Sequence, residues 1–253
     1  MANYLITGSS RGLGLALASG LAALPASQIG TIIATARQDN SPQLRELVSK
    51  SAGRVGFVQL DVSSTQSIQE AVKSVESQLQ GKGLDVLINN AGIMPITPGG
   101  LEAMDKLNET FDMNVTSVHN VTRAFLPLLR ESQKKTVVNI STTLGSIGLS
   151  SNFAPMPAPE YKITKAALNM LTVQYAQAFA KEGFTFFSIS PGWLQTDLGG
   201  ARADLPVQTG ADAVLKKIFN STPEQNGEFM NIHVPEWEDN PGLNRYDGKN
   251  PPW

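Results

Sequence analysis

The sequence predicts an α/β fold built on a doubly wound parallel sheet, on two observations. Short apolar runs alternate with longer segments of helical periodicity from end to end, which is typical of repeated βαβ units. Several runs are apolar and β-branched at successive positions, as strands covered by helices on both faces must be. No repeat, charge run or linker-like composition divides the 253 residues. We therefore expect a single domain over residues 1–253.

The predicted elements fill this length. Seven strands are expected at Tyr4–Thr7, Thr31–Ala36, Val55–Leu60, Val86–Asn89, Thr136–Ile140, Thr185–Ile189 and Glu228–Ile232. Helices are expected at Leu13–Leu24, Pro42–Lys50, Thr65–Leu79, Leu101–Arg130, Tyr161–Lys181 and Val207–Phe219. Loops that shape a binding site are expected near residues 94–100, 144–160 and 193–208, with a tail over 235–253. The third loop contains Gly199, Gly200 and Pro206, and we therefore expect it to form a mobile lid.

Composition argues against several classes of protein. The chain has 20 basic and 22 acidic residues, so it lacks the excess of positive charge that binds a nucleic-acid backbone. It has no cysteine and two isolated histidines, so no metal site is expected. The uncharged stretch between Arg11 and Arg37 is interrupted by glycine, proline and polar residues, which argues against a membrane span. We expect a cytoplasmic protein with neither nucleic-acid nor membrane partners.

The first strand runs into a glycine-rich turn that precedes a helix. Gly8 can make the tight turn, Gly12 lets the main chain approach a pyrophosphate, and Gly14 permits close helix–strand contact. Free N–H groups at the start of the helix would face the anion. An ordinary βα turn can share this spacing, but its place at a strand-to-helix junction favours a dinucleotide. The expected cofactor loop is Gly8, Ser10, Arg11, Gly12, Leu13 and Gly14.

The end of the second strand should set the choice of cofactor. Arg37, helped by Arg11, could pair with a ribose 2′-phosphate, which predicts NADP(H) in preference to NAD(H). Asp39 supports the competing interpretation, because a carboxylate on the same ribose favours NAD. Arg37 and Asp39 could also both be solvated surface charges.

Further cofactor contacts are expected after the third and fourth strands. Asp61, followed by Val62, is placed to accept from the adenine amino group, with helix capping as the alternative. After the fourth strand, Asn90, Ala91 and Gly92 can tie neighbouring strands together and leave room for the cofactor. Asparagine is common in turns, so this motif is weak by itself.

Tyr161 and Lys165 are four residues apart in a helical pattern and therefore share a face. A tyrosine hydroxyl has a pKa near 10, which suits proton transfer poorly at neutral pH. An ammonium about 4 Å away contributes roughly 4 kcal/mol at an effective dielectric constant of 20, enough to lower that pKa by about 3 before desolvation opposes it. Tyr161 is thus predicted to donate a proton to a carbonyl oxygen as hydride reaches the carbon.

Four motifs in order resemble those of the short-chain dehydrogenase/reductase family: Thr7-Gly8-x-x-x-Gly12-x-Gly14, Asn89-Asn90-Ala91-Gly92, Tyr161-x-x-x-Lys165 and Pro191-Gly192-x-x-x-Thr196. The resemblance covers nearly the whole chain. It implies a Rossmann fold with strand order 3-2-1-4-5-6-7, NAD(P)-dependent carbonyl or alcohol chemistry, and homodimers or homotetramers.

The resemblance also implies roles for single residues. Lys165 would hold the nicotinamide ribose and lower the pKa of Tyr161, Thr196 would contact the carboxamide, and Leu194 would line that pocket. Pro191 and Gly192 complete the expected cofactor site. Asn114 matches a helix asparagine that holds a water in a proton relay to Lys165, with a cap or buried amide as the alternative.

The position of the family's catalytic serine departs from the pattern. Thr142 stands in the register Ser-x-x-Gly, and Ser141 comes one residue early. A threonine hydroxyl has the same hydrogen-bonding capacity as serine, so Thr142 is preferred. Ser141 is the second choice, because a shift of one residue turns a side chain to the opposite face of a strand. The departure also keeps open a dinucleotide-binding regulatory or scaffold protein with weak catalysis.

The tail motif Tyr246-Asp247-Gly248-Lys249-x-x-x-Trp253 and the segment 144–148 resemble the C-factor and sniffer-type carbonyl reductases and related ketoreductases. The residues expected to line the substrate pocket are mostly apolar, and none of them is a cation that would bind an anionic substrate. We therefore expect an uncharged ketone, aldehyde or alcohol that is apolar or aromatic. The expected walls are Met94, Pro95, Leu144, Phe153, Met156 and Trp193.

Overall fold

The computed structural model describes all residues from Met1 to Trp253 and contains one sheet of seven parallel strands. The strand order is β3-β2-β1-β4-β5-β6-β7, which confirms the predicted fold and topology. Every predicted strand is present, with ends that differ by two residues at most. The strands are β1 Ala2–Ile6, β2 Ile29–Ala36, β3 Val55–Gln59, β4 Val86–Asn89, β5 Thr136–Ile140, β6 Thr185–Ser190 and β7 Phe229–Asn231.

Seven α-helices connect or follow these strands. They are α1 Gly12–Ala23, α2 Pro42–Lys50, α3 Thr65–Leu79, α4 Leu107–Phe111, α5 Ser117–Arg130, α6 Pro159–Phe179 and α7 Val207–Phe219. The third loop is thus shorter than predicted, because α7 already begins at Val207. None of the helices is long and apolar enough to cross a membrane.

The prediction of one helix over Leu101–Arg130 is wrong. A short 3₁₀ helix occupies Gly100–Ala103, and regular helix begins only at Leu107. A π-helical turn over Asp112–Thr116 then joins α4 to α5. No glycine or proline lies between Leu101 and Thr116, so the sequence carries no breaker residue that would mark these interruptions.

Helices α2 and α3 begin where the sequence supplies caps. The Ser41 side chain accepts from the Leu44 amide at 3.2 Å, and Pro42 occupies the first turn of α2. The Ser64 side chain accepts from the Ser67 amide at 3.2 Å at the start of α3. These side chains satisfy amides that the helix itself leaves free.

The core lies in two layers, one on each face of the sheet. Adjacent strand residues point to opposite faces, so Leu5 and Ile6 belong to different clusters, and both are fully buried. Phe186 and Phe187 repeat this arrangement in β6. Helices α1, α2 and α7 cover one face, and α3, α5 and α6 cover the other. Each such buried side chain contributes about 1.5–3 kcal/mol.

The sheet topology determines where a ligand can bind. Strand β1 pairs with β2 on one side and with β4 on the other. The chain therefore winds outward in both directions from β1, which opens a crevice at the carboxyl ends of β1 and β4. The glycine-rich turn leaves β1 at this crevice and leads into α1.

We predict that Gly14→Ala destabilises the fold and that Gly20→Ala in the same helix does not. A Cβ atom at Gly14 would overlap the Gly8 carbonyl oxygen, which is main chain and cannot move aside. At Gly20 it would meet the flexible Leu215 side chain at 2.8 Å. Urea titration should show a loss of about 1–3 kcal/mol for Gly14→Ala, as for overpacking. Equal stability of the two variants would contradict this packing role.

Candidate active site

A cavity of about 620 Å³ opens at the carboxyl ends of the strands and brings most of the predicted site residues together. The predicted cofactor and catalytic residues that line it are Gly8, Ser10, Arg11, Gly12, Leu13, Arg37, Asp61, Val62, Asn90, Ala91, Gly92, Ser141, Thr142, Tyr161, Lys165, Pro191, Gly192, Leu194 and Thr196. The predicted substrate residues that line it are Met94, Leu144, Phe153, Met156 and Trp193.

Three predicted residues do not line the cavity. Gly14 lies beneath the glycine loop, where its missing side chain allows α1 to approach the Gly8 carbonyl. Glycine at this position is needed for packing, and its contact with a cofactor stays a prediction. Asn114 is fully buried behind the cavity wall, and Pro95 is likewise absent from the lining.

The glycine loop presents main chain to the cavity. Gly8 and Gly12 have φ angles of +71° and +55°, which favour glycine. The Asn90 side chain donates to the Thr7 carbonyl at 2.8 Å and thereby holds the loop. No side chain caps the start of α1, where Arg11 is extended. Uncapped amides, and main chain that Gly8 and Gly12 leave uncovered by side chains, fit the pyrophosphate of a dinucleotide.

The charged residues beyond β2 differ in what they face. Arg37 lines the cavity. The Asp39 carboxylate instead accepts from the Arg45 Nε at 3.1 Å and lies outside the cavity lining. Arg11 forms an ion pair with Asp197, on the opposite side of the groove. Arg37 is thus the charged group at the end of β2 that faces the cavity.

Asp61 lies at the edge of the cavity beside β3. Its carboxylate accepts from the Ser63 amide at 3.0 Å and from the Ser63 hydroxyl at 2.6 Å. These hydrogen bonds lower the pKa of Asp61, so it is ionised at neutral pH. The capping alternative for this residue is wrong, because Ser64 caps α3.

Tyr161 and Lys165 lie on one face of α6, and both are buried. The Lys165 Nζ atom lies 5.6 Å from the centre of the Tyr161 ring and donates to the Ile140 carbonyl at 2.7 Å. The Tyr161 hydroxyl lines the cavity and has no hydrogen-bond partner within the chain. A phenol and an ammonium therefore share one wall of the cavity.

The electrostatics of this pair differ from the expectation. Burial lowers the pKa of Lys165 to about 8, and burial raises the pKa of Tyr161 instead of lowering it. Desolvation by burial is the cause of both shifts. At pH 7 the chain therefore holds a protonated phenol next to an ammonium that is still mostly charged.

Asn114 lies in the π-helical turn between α4 and α5. Its amide nitrogen donates to the Ile93 carbonyl at 2.9 Å and to the Thr164 hydroxyl at 3.1 Å, and its oxygen accepts from the Ile93 amide at 2.9 Å. A Cβ atom at Gly92 would lie 3.0 Å from this oxygen and 3.7 Å from the Lys165 Nζ. Glycine at that position therefore leaves space between Asn114 and Lys165.

The two hydroxyls after β5 face different surroundings. The Ser141 hydroxyl is fully buried and donates to the Asn169 side chain at 2.7 Å. The Thr142 oxygen accepts from the Leu144 amide at 3.3 Å, so its own hydrogen is free for another acceptor. The geometry therefore favours Thr142 as the hydroxyl available to a ligand.

Sequence reasoning missed part of the cavity wall. Leu243, Asn244 and Tyr246, from the tail, line the cavity opposite α6. A signal was present, because the tail follows β7, whose carboxyl end adjoins that of β6 at the same edge of the sheet. The predicted substrate loops come from earlier strands and left this wall unassigned.

These features define a dinucleotide-binding oxidoreductase site of the Rossmann type. The family model described as short chain dehydrogenase matches residues 2–205, and the chain belongs to this family. Among curated relatives, the short-chain dehydrogenase/reductase AacuF of Aspergillus aculeatus is 39% identical over 203 residues, 76% of this chain and 74% of the relative.

Two solved structures share the whole fold. NADPH-bound carbonyl reductase from chicken fatty liver is 29% identical with a TM-score of 0.88, over 100% of this chain and 94% of that one. The carbonyl reductase Sniffer of Drosophila melanogaster is 28% identical with a TM-score of 0.88, over 100% of both chains. The predicted resemblance to carbonyl reductases of this family is confirmed.

We predict that Lys165 titrates near pH 8, because its buried ammonium has one neutral acceptor in the chain. Its pKa is depressed on folding, so between about pH 8 and the ordinary lysine value the folded chain binds fewer protons than the unfolded one. Its contribution to stability should therefore increase with pH across that window. NMR of ¹³C-labelled lysine would measure the pKa, with Lys165→Met identifying the resonance. A midpoint above pH 10 would contradict the burial effect.

Proposed function

We propose that the protein reduces a ketone or aldehyde of an uncharged apolar or aromatic small molecule with NADPH, or oxidises the corresponding alcohol in reverse. The observation that carries the proposal is the Tyr161 hydroxyl, which is free of partners within the chain and faces the cavity beside the buried Lys165 ammonium. A free phenol next to a fixed positive charge is suited to deliver a proton to a carbonyl oxygen.

Three observations support NADPH as the cofactor. Arg37 faces the cavity at the end of β2, where a 2′-phosphate would lie. Asp39, which would repel that phosphate, is turned toward Arg45. One structural relative of this chain is described as NADPH-bound.

Bound NADPH supplies the hydride that reaches the carbonyl carbon. The Tyr161 hydroxyl donates its proton to the carbonyl oxygen, and the Thr142 hydroxyl donates a hydrogen bond to the same oxygen. Lys165 would hold the nicotinamide ribose and stabilise the phenolate as it forms. Asn114 fixes the main chain of Ile93. The family resemblance assigns to Asn114 a water that would return a proton to Tyr161 through Lys165.

The walls of the cavity favour an uncharged substrate. The apolar side chains that line the cavity include Met94, Phe153, Met156 and Trp193. The cations of the lining are Arg11, Arg37 and Lys165, and we assign all three to the cofactor. No cation then faces the carboxylate or phosphate of a substrate.

The remaining predictions concern the protein as a whole. The single domain over 1–253, the homodimer or homotetramer and the cytoplasmic location stay predictions from the sequence and the family resemblance. The proposed chemistry uses the residues of one chain and does not depend on these predictions.

We expect Tyr161→Phe to lower the turnover of NADPH with a panel of ketones and quinones by about 10²–10⁴-fold, because it removes the proton donor. NADPH affinity, measured by the fluorescence of the bound cofactor, should change little. Tyr175→Phe is the control, because that hydroxyl bonds to His119 away from the cavity. NADPH binding with no Tyr161-dependent turnover would instead support the regulatory or scaffold protein.

We expect Arg37→Ala to weaken NADPH binding by roughly 10- to 100-fold, the loss of one charge-assisted pair, and to leave NADH binding nearly unchanged. The matched control is Asp39→Ala, which removes a nearby charge that faces Arg45. Calorimetry with both cofactors measures the four affinities. Equal losses for NADPH and NADH in Arg37→Ala would refute the 2′-phosphate assignment.

A further inference from the structure

Tyr246 is a buried residue of the tail that the chemistry above does not use. Its ring lies 5.6 Å from that of Trp237 and packs over Gly192, where an added Cβ atom would come within 3.2 Å of it. Its carbonyl accepts from the Val234 amide at 2.8 Å, just after β7. The tail is therefore attached to the sheet at Tyr246.

The Tyr246 hydroxyl joins two parts of another loop. It accepts from the Trp193 amide at 3.0 Å and donates to the Asp204 carboxylate at 2.7 Å. The same carboxylate oxygen accepts from the Asn244 side chain at 2.7 Å. Burial and then the Asp204 carboxylate raise the pKa of Tyr246, so this hydroxyl keeps its proton at neutral pH.

Trp193 and Asp204 stand at the two ends of the loop over residues 194–204. The Leu205 amide donates to the Trp193 carbonyl at 3.1 Å, and the Gln195 amide donates to the Leu205 carbonyl at 2.9 Å. These bonds close the base of the loop, and the Tyr246 hydroxyl fastens that base to the tail. The loop carries Leu198 to the cavity wall, while Trp193 itself lines the cavity at its base.

We propose that Tyr246 is a positioning residue that sets the distance between the two outer walls of the substrate cavity. One wall is Trp193 with the loop 194–204, and the other is the tail at Leu243 and Asn244. The hydroxyl of Tyr246 holds these two walls at a fixed separation, so the apolar space between them has a fixed width. The proposal rests on the proposed function, because that function places the substrate in this cavity.

The decisive variant is Tyr246→Phe, which keeps the ring and removes only the hydroxyl. The Trp193 amide then has no acceptor there, and Asp204 keeps only Asn244. A lost hydrogen bond to a charged group corresponds to about a tenfold change in an equilibrium. We expect KM for the best ketone of the panel to rise about tenfold at saturating NADPH, with kcat within about twofold.

Trypsin provides a measurement that does not depend on activity. Arg202 is exposed within the loop, and its cleavage, followed by mass spectrometry, reports the opening of the loop. We expect Tyr246→Phe to speed this cleavage about tenfold. Tyr175→Phe, which removes a partly buried hydroxyl outside the cavity, should leave both the cleavage rate and KM unchanged. Asp204→Asn keeps an acceptor without its charge and should show smaller effects in the same direction.

The two measurements separate the possible outcomes. Unchanged cleavage with unchanged KM overturns the proposal, and so does faster cleavage with unchanged KM, which leaves Tyr246 a purely structural role. A raised KM with unchanged cleavage also overturns it, because Tyr246 would then act by direct contact with the substrate. If the wild-type chain reduces no ketone, the proposed function fails and the placement of a substrate between the walls fails with it. The cleavage rates then decide whether the hydroxyl fixes the loop.

Discussion

The hydrogen bond from the Lys165 ammonium to the Ile140 carbonyl is the interaction on which the active site depends. An ammonium has three donors, and a buried charge with one neutral acceptor is poorly compensated. The fold tolerates this because the acceptor is the last residue of β5, which places the charge at the edge of the sheet, where the cavity begins. The other donors of this ammonium have no acceptor within the chain, and Lys165 lines the cavity. The proposed function assigns these donors to the ribose of the cofactor.

That charge is useful only if α6 stays in place, and buried polar contacts hold the helix on several sides. The Glu160 carboxylate, next to Tyr161 in the sequence, is fully buried and accepts from the Thr97 hydroxyl at 2.9–3.0 Å. The Ser141 hydroxyl donates to Asn169 on the same helix. These bonds connect α6 to the loop after β4 and to the end of β5. Buried polar contacts that need a single geometry fix the helix more narrowly than apolar packing alone.

The fold was predictable because its strands are buried on both faces and therefore appear as continuous apolar runs between glycine and proline. The shared position of Tyr161 and Lys165 on one face of α6 was predictable because a spacing of four on a helix fixes a shared face. Features set by the tertiary structure were not predictable. The direction in which the Ser141 side chain points depends on the strand register. The hydrogen bonds of Tyr246 to Trp193 and Asp204 join residues that are 53 and 42 positions apart in the sequence. No glycine or proline marks the π-helical turn at Asn114 in the sequence.

Burial raises the pKa of Tyr161, so the phenol holds its proton at neutral pH. A phenol that holds its proton at neutral pH is in the form that reduction requires, whereas alcohol oxidation would need the phenolate. A weaker acid is also a slower donor, and this is where the fixed ammonium contributes. In the reaction proposed above, negative charge develops on the phenol oxygen as the proton leaves, within the field of Lys165. Burial thus keeps the proton on Tyr161 in the free chain, and the proposal assigns to the neighbouring charge the task of assisting its departure.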